Sequence, residues 1–222
     1  MTYKTRNIDF IFFSNEKKME LEYKWHISED FGKIISDSFV HGLSEDCGIT
    51  QMDSRYYDTE DTVLKNRFRA ALRLRRENEK SVICLKMPKK TDGAFAAREE
   101  YEAEADNIEN GLIILPRYGA PSDLCREISS LPLRQIARVS FARHSFRIRT
   151  VSFSAELSFD EGFAERHLEQ FHSSPIAEIE LEFKSGNVED FYKWAAEFER
   201  HFKLRPIKLS KLAQALSDTT IG

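Results

Sequence analysis

Apolar and polar residues alternate with a period of two over much of this chain. Successive side chains on an extended strand point to opposite faces, so each alternating run reads as a strand with one apolar side and one polar side. The run Glu20-Leu21-Glu22-Tyr23-Lys24-Trp25 is the first. Further strands are predicted over 50–58, 68–76, 81–87, 96–104, 135–142, 145–151, 153–159, 163–171 and 176–184. The segment 88–93 and Asp160-Glu161-Gly162 carry the turn residues expected between antiparallel neighbours. The period becomes helical where Ser28 can cap a first turn containing Glu29 and Asp30, with Phe31, Ile34, Ile35 and Phe39 on one face before Gly42. It does so again after Asn187, where Phe191, Trp194, Ala195, Phe198 and Phe202 share a face, and a last short helix is predicted from about Ser210. These elements make an α+β chain: a long antiparallel sheet with a few amphipathic helices covering its apolar side.

At 222 residues, without internal repeats or a Ser/Gly-rich linker, the chain reads as a leader over residues 1–18 and one domain over 19–222. Thirty-three Lys and Arg against thirty-seven Asp and Glu leave a net charge of −4, which argues against a nucleic-acid partner, since that needs a broad basic field. The longest apolar runs, 10–13 and 112–115, fall far short of the ~20 residues of a membrane span, and the start of the chain lacks a signal-peptide pattern. A cytoplasmic protein with no membrane contact is therefore expected. Cys47, Cys84 and Cys125 are scattered without CxxC spacing and read as reduced thiols, while the six histidines show no metal-ligand spacing.

One charged strand face normally means solvent, but here the pattern recurs. Arg73 with Arg75, Arg98 with Glu100 and Glu102, and Glu178 with Glu180 and Glu182 each repeat at period two, beside apolar partners such as Leu72, Leu74, Tyr101, Ile179 and Leu181. If helices cover the apolar side, closing the sheet into a barrel gathers carboxylates and guanidinium groups around a lumen. Buried charges are costly unless paired. Such a lumen suits a polyanion with divalent cations, because Arg and Lys take phosphate oxygens while carboxylates hold hard metal ions.

The ordered set of motifs resembles the CYTH superfamily, the triphosphate tunnel metalloenzymes, from Glu20 to about Leu216. Glu20-x-Glu22-x-Lys24 is similar to the family's opening ExExK. Tyr57-Asp58-Thr59 with Ala71-Leu72-Arg73-Leu74-Arg75 resembles its YDT and ALRxR strands, and Lys86 falls at a family lysine. Arg98-x-Glu100-x-Glu102 resembles RxExE, Asp160-x-Gly162 an aspartate turn, Glu178-x-Glu180-x-Glu182 a second glutamate strand, and Ser210-Lys211 its late lysine. Where many members carry Lys-x-Arg this chain has Phe141-Ala142-Arg143, a form similar to the bacterial inorganic triphosphatase branch that removes one expected phosphate contact.

The resemblance implies an eight-stranded antiparallel barrel forming a tunnel with helices packed outside, a triphosphate-containing small molecule as ligand, and Mg2+ or Mn2+ as cofactor. A family habit of pairing is compatible with a homodimer, which the alternation itself does not specify. Lys24, Arg73, Arg75, Lys86, Arg98, Arg143 and Lys211 are expected to grip phosphates, and Glu20, Glu22, Glu100, Glu102, Asp160, Glu178 and Glu180 to hold metal. Catalysis is expected to centre on Glu20, Glu22, Lys24, Glu178 and Glu180. The implied reaction is hydrolysis of inorganic triphosphate to pyrophosphate and phosphate. Thiamine triphosphate or nucleotide hydrolysis, ATP cyclisation and non-catalytic polyphosphate binding stand as the alternatives.

Overall fold

A computed structural model of the chain describes residues 21–27, 30–88, 98–167 and 171–217, with Pro88 and Arg98 entering through their backbone pairing alone. One antiparallel sheet organises them. Its strands are β1 (Glu22–His26), β2 (Ser44–Asp58), β3 (Ala71–Glu77), β4 (Lys80–Pro88), β5 (Arg98–Glu104), β6 (Arg134–Arg149), β7 (Phe153–His167), β8 (Phe171–Gly186) and the two-residue β9 (Arg205–Pro206). They are hydrogen-bonded in the order β5-β4-β3-β2-β6-β7-β8-β1-β9. The expected strand wall is therefore present with β9 as a short ninth member. Its two edges are β5 and β9, which the described pairings do not join.

The segments 135–142 and 145–151 form the single strand β6, and Asp160-Glu161-Gly162, expected as a turn, lies in the middle of β7. Pairing with β6 on one side and β8 on the other runs through this stretch, and two full ladders outweigh a local turn preference. Gly162 serves close approach instead: a Cβ there would sit 2.1 Å from the Ser140 carbonyl oxygen and 2.5 Å from Phe141 Cα. The other expected turn, at 88–93, falls almost wholly on 89–97, outside the described residues.

The outer face of the sheet carries two apolar cores. Trp25, Leu157, Phe159, Ile179 and Leu181 pack with Ile34 of α1 (Phe31–Ser36) and with Phe191, Ala195 and Phe198 of α4 (Val188–His201). Asn187 caps α4 as expected, its side chain accepting from the Asp190 N–H at 3.1 Å. Asp30 caps α1, while Ser28 and Glu29 lie outside the described residues. At the other half of the sheet Leu72, Ile83, Leu85, Tyr101 and Ala103 pack with Ile108 and Leu112 of α2 (Ile108–Ile114) and with Cys125 and Ile128 of α3 (Ser122–Ser129). Both helices are seven or eight residues long, too short to show a clear period in sequence.

The last helix, α5 (Lys211–Leu216), departs from the expectation that helices pack outside. It lies on the inner face, where Leu212, Ala215 and Leu216 cover Met52, Tyr56, Val139, Phe141, Ala164 and Ile176. The inner face is apolar at those positions and needs a cover. Ser210 caps α5 by accepting from the Ala213 N–H at 3.1 Å. Among the described residues no helix is long and apolar enough to cross a membrane.

Candidate active site

Registers between neighbouring strands place the charged residues on one face. Residues opposite one another in an antiparallel ladder point the same way. On one half of the sheet Tyr56 pairs with Arg73 and Ser54 with Arg75, Arg73 pairs with Cys84 and Ala71 with Lys86, and Cys84 and Lys86 pair with Glu102 and Glu100. On the other half Arg143 pairs with Asp160, Asp160 with Glu178, and Ser158 with Glu180. Glu180 then pairs with Lys24 of β1, and Glu182 with Glu22. All of these occupy the face on which α5 rests. Arg73 and Ser158 are buried there although neither belongs to the apolar patch that α5 covers. Such burial follows when a sheet curls over its own inner face.

The acidic centre sits on β7 and β8. Asp160, Glu178 and Glu180 are 0 %, 1 % and 7 % exposed, and each offers a carboxylate oxygen within 4.8 Å of the others. Cations neutralise them. Lys211 Nζ lies 2.6 Å from Glu178 Oε2, 2.6 Å from Glu180 Oε1 and 2.8 Å from Asp160 Oδ2. Arg143 forks onto Asp160, with Nε 2.7 Å from Oδ1 and Nη2 2.6 Å from Oδ2, and it also donates to Glu180. Lys24 Nζ is 3.0 Å from Glu180 Oε1 and 3.2 Å from Glu22 Oε1. Gln214 donates its side-chain amide to Glu178.

Burial alone would raise the Glu180 carboxyl, yet Lys211, Arg143 and Lys24 outweigh it and hold Glu180 well below the usual carboxylate range. Burial likewise opposes charge on Lys211, and Glu180, Asp160 and Glu178 reverse the effect and raise its pKa. Glu22 goes the other way. Burial, followed by repulsion from Glu180, lifts it to about 7 against the pull of Lys24.

The cationic wall sits on β3 and β4. Arg73 Nη2 lies 3.1 Å from Glu102 Oε1, Arg75 Nη2 is 3.8 Å from the same atom, and Lys86 bonds to Glu100. Burial would raise the Glu102 carboxyl, but Arg73 and Arg75 carry it below its ordinary value. Burial pushes the Cys84 thiol up to about 12, so it lies neutral between Arg73 and Glu102. The Nε–H groups of Arg73 and Arg75 are buried without a hydrogen-bond partner. Donors left unpaired inside a protein are rare and mark a place where an acceptor is missing.

Most of the expected site residues are thus brought onto one face. Glu20 lies outside the described residues, as does the side chain of Arg98. Asp58 of the YDT motif faces elsewhere: its buried carboxylate accepts from the N–H groups of Thr59 at 2.7 Å, Leu64 at 2.8 Å and Lys65 at 3.2 Å, closing the π-helical turn Leu64–Phe68. Phe141 does more than remove a lysine. Its ring lies 5.1 Å from Lys211 Nζ and 5.6 Å from Arg143 Cζ, so it supports both cations through its π face. Sequence reasoning missed Gln214 and Tyr56. Gln214 sits three positions after Lys211 and so on the same side of α5, which is the signal that would have found it.

The CYTH domain family model matches residues 18–216. An inorganic triphosphatase from Haemophilus influenzae is 28% identical over 151 residues, which span 67% of this chain and 41% of that protein. This chain therefore aligns with less than half the length of that curated relative. Among solved structures, a Bacillus halodurans protein described as a candidate adenylate cyclase superposes with a TM-score of 0.56 at 21% identity, covering 90% of this chain and 97% of that one. A candidate adenylyl cyclase from Hippeastrum, described as having a dominant triphosphatase activity, gives 0.55 at 19% identity, covering 89% and 95%. Both share the fold.

Proposed function

The chain belongs to the CYTH domain family, and from that premise we propose that it hydrolyses inorganic triphosphate to pyrophosphate and phosphate with Mg2+ or Mn2+. The observation that carries this reading is the pairing, on one buried face, of three convergent carboxylates with a wall of arginines whose Nε–H groups have no acceptor. The Haemophilus influenzae relative supports the choice of inorganic triphosphate. The inner-face rings support it too. Tyr56 and Phe141 are buried in the cluster under α5, and Phe141 also backs two cations, which leaves neither ring free to stack on a nucleobase.

In this reading Asp160, Glu178 and Glu180 hold the metal, because hard divalent cations take carboxylate oxygens and these three converge without a thiol or imidazole among them, and the ExExK motif assigns Glu20 and Glu22 to the same ion. The bound ion supplies charge neutralisation on the phosphate chain and lowers the pKa of a coordinated water. The other steps belong to the chain. Arg73 and Arg75 offer their unpaired Nε–H groups to phosphate oxygens, Lys86 adds a cation from the neighbouring strand, the RxExE motif assigns Arg98 the same task, and Lys24, Arg143 and Lys211 bind at the acidic end. Arg143 is oriented for this by its fork on Asp160. Phosphoryl transfer needs positioning and charge stabilisation more than covalent chemistry, and fixed guanidinium groups on a buried sheet supply both.

The test is phosphate release from tripolyphosphate, thiamine triphosphate and ATP, each with Mg2+, with Mn2+ and with EDTA. The reading predicts metal-dependent turnover with tripolyphosphate strongly preferred. Pyrophosphate and cyclic AMP from ATP, or tight tripolyphosphate binding without turnover under every metal, would overturn it.

A further inference from the structure

The acidic centre contains its own cation. We propose that Lys211 occupies the metal position in the metal-free protein, so that a divalent cation and the Lys211 ammonium compete for Asp160, Glu178 and Glu180, and that a polyphosphate relieves the competition by drawing the ammonium onto its oxygens. The proposal rests on the reading of metal and triphosphate given above.

Three carboxylates meet within 4.8 Å, and the Lys211 nitrogen lies 2.6–2.8 Å from an oxygen of each. A divalent ion bound by the same three groups would use the space that nitrogen fills. The two cannot share it, since Arg143 from β6 and Lys24 from β1 already face the same carboxylates, and an unbalanced positive charge in a buried site is costly. Lys24 touches Glu180 alone of the three carboxylates, so it does not fill the space among them, and of the two cations that do reach more than one of them Lys211 is the more easily moved. Arg143 is held by two bonds to Asp160 and one to Glu180, a planar fork that moves only as a unit, whereas Lys211 makes single contacts from the end of a flexible four-carbon stem. Its place at the centre is set by the fold. The Ser210 cap and the packing of Leu212, Ala215 and Leu216 on the inner face bring the first residue of α5 over Glu178, and Gln214 on the next turn bonds to the same carboxylate.

Two ligands that act on one movable cation are coupled, and the coupling is reciprocal. The metal binds weakly by itself because it must separate the Lys211 ammonium from three carboxylates with no new partner for it. Polyphosphate gives the ammonium a new partner, and metal binding strengthens. The enzyme therefore loads metal together with substrate rather than ahead of it.

Mn2+ affinity, read by electron paramagnetic resonance of the free ion in phosphate-free buffer, tests this on the wild-type chain, Lys211→Gln and Lys211→Arg. Lys211→Gln should bind Mn2+ roughly tenfold or more tightly than wild type, with Lys211→Arg close to wild type. Equal or weaker Mn2+ binding by folded Lys211→Gln overturns the proposal. If Lys211→Gln does not fold, reductive methylation of the wild-type chain decides. Labelling of Lys211 should rise several-fold at saturating Mn2+, and unchanged labelling with Mn2+ bound rejects the competition. Tripolyphosphate hydrolysis by the wild type, measured alongside, separates the two readings. Hydrolysis without a gain in Mn2+ affinity rejects the competition alone, and the gain without hydrolysis rejects the substrate alone.

Discussion

Glu180 touches three cations, Lys211, Arg143 and Lys24, so single-residue changes around it carry the sharpest expectations. Gln214→Ala removes the amide that holds Glu178 and leaves the charges in place; it should cut turnover about 10-fold or more while tripolyphosphate KM changes little, because positioning partners of metal ligands act at about that level. Steady-state kinetics checks it. Glu22 makes a pH prediction. Its folded pKa of about 7 lies above the ordinary 4.5, so its protonated form stabilises the metal-free fold. That contribution is complete below about 4.5 and is lost as pH rises to about 7, because the unfolded chain gives up the proton first. Melting curves of metal-free wild type and Glu22→Gln should diverge over that window, with the wild type losing stability relative to the variant as pH rises. Parallel curves would show that Glu22 is not raised.

At the scale of elements, Gly162 and Asp58 show what the motifs do apart from chemistry. Gly162→Ala places a methyl against the β6 backbone at 2.1 Å and should destabilise by about 3 kcal/mol while moving Arg143 and Asp160 apart, measured by denaturant unfolding and by loss of turnover. Asp58→Ala leaves three backbone N–H groups without their acceptor and should lower stability by roughly 1–3 kcal/mol with turnover per folded molecule unchanged. These cases also explain how far the sequence could be read. Alternation in Glu22–His26 and Phe171–Gly186, and the caps at Asn187 and Ser210, are local signals that survive folding, so the strand wall and the charged face were legible. Asp160-Glu161-Gly162 carries a turn's composition, yet its role is fixed by neighbours on β6 and β8 that are distant in sequence. The same holds for α5. Its six residues look like a terminal cap on the outside, and only the apolar inner patch at Met52, Val139 and Phe141 determines that it lies within. Helices α2 and α3 depend on packing against Ile83 and Leu85 more than on their own period.

For the molecule as a whole, charge balance sets what can enter. Lys24, Arg73, Arg75, Lys86, Arg143 and Lys211 face Glu22, Glu100, Glu102, Asp160, Glu178 and Glu180 across adjoining clusters, so each of these cations already has a carboxylate partner before anything binds. A face of this kind accepts a polyanion best when divalent cations arrive with it and take up the carboxylates that lose their partners. On the proposed reading this face, with Glu180 at its hub, performs metal-dependent cleavage of a phosphoanhydride. Phosphate release from tripolyphosphate with Mg2+, compared between wild type and a folded Glu180→Gln variant, tests it most directly. The wild type should turn over and the variant should fall by at least about 100-fold; comparable rates in the two proteins would remove Glu180 and its cluster from the reaction.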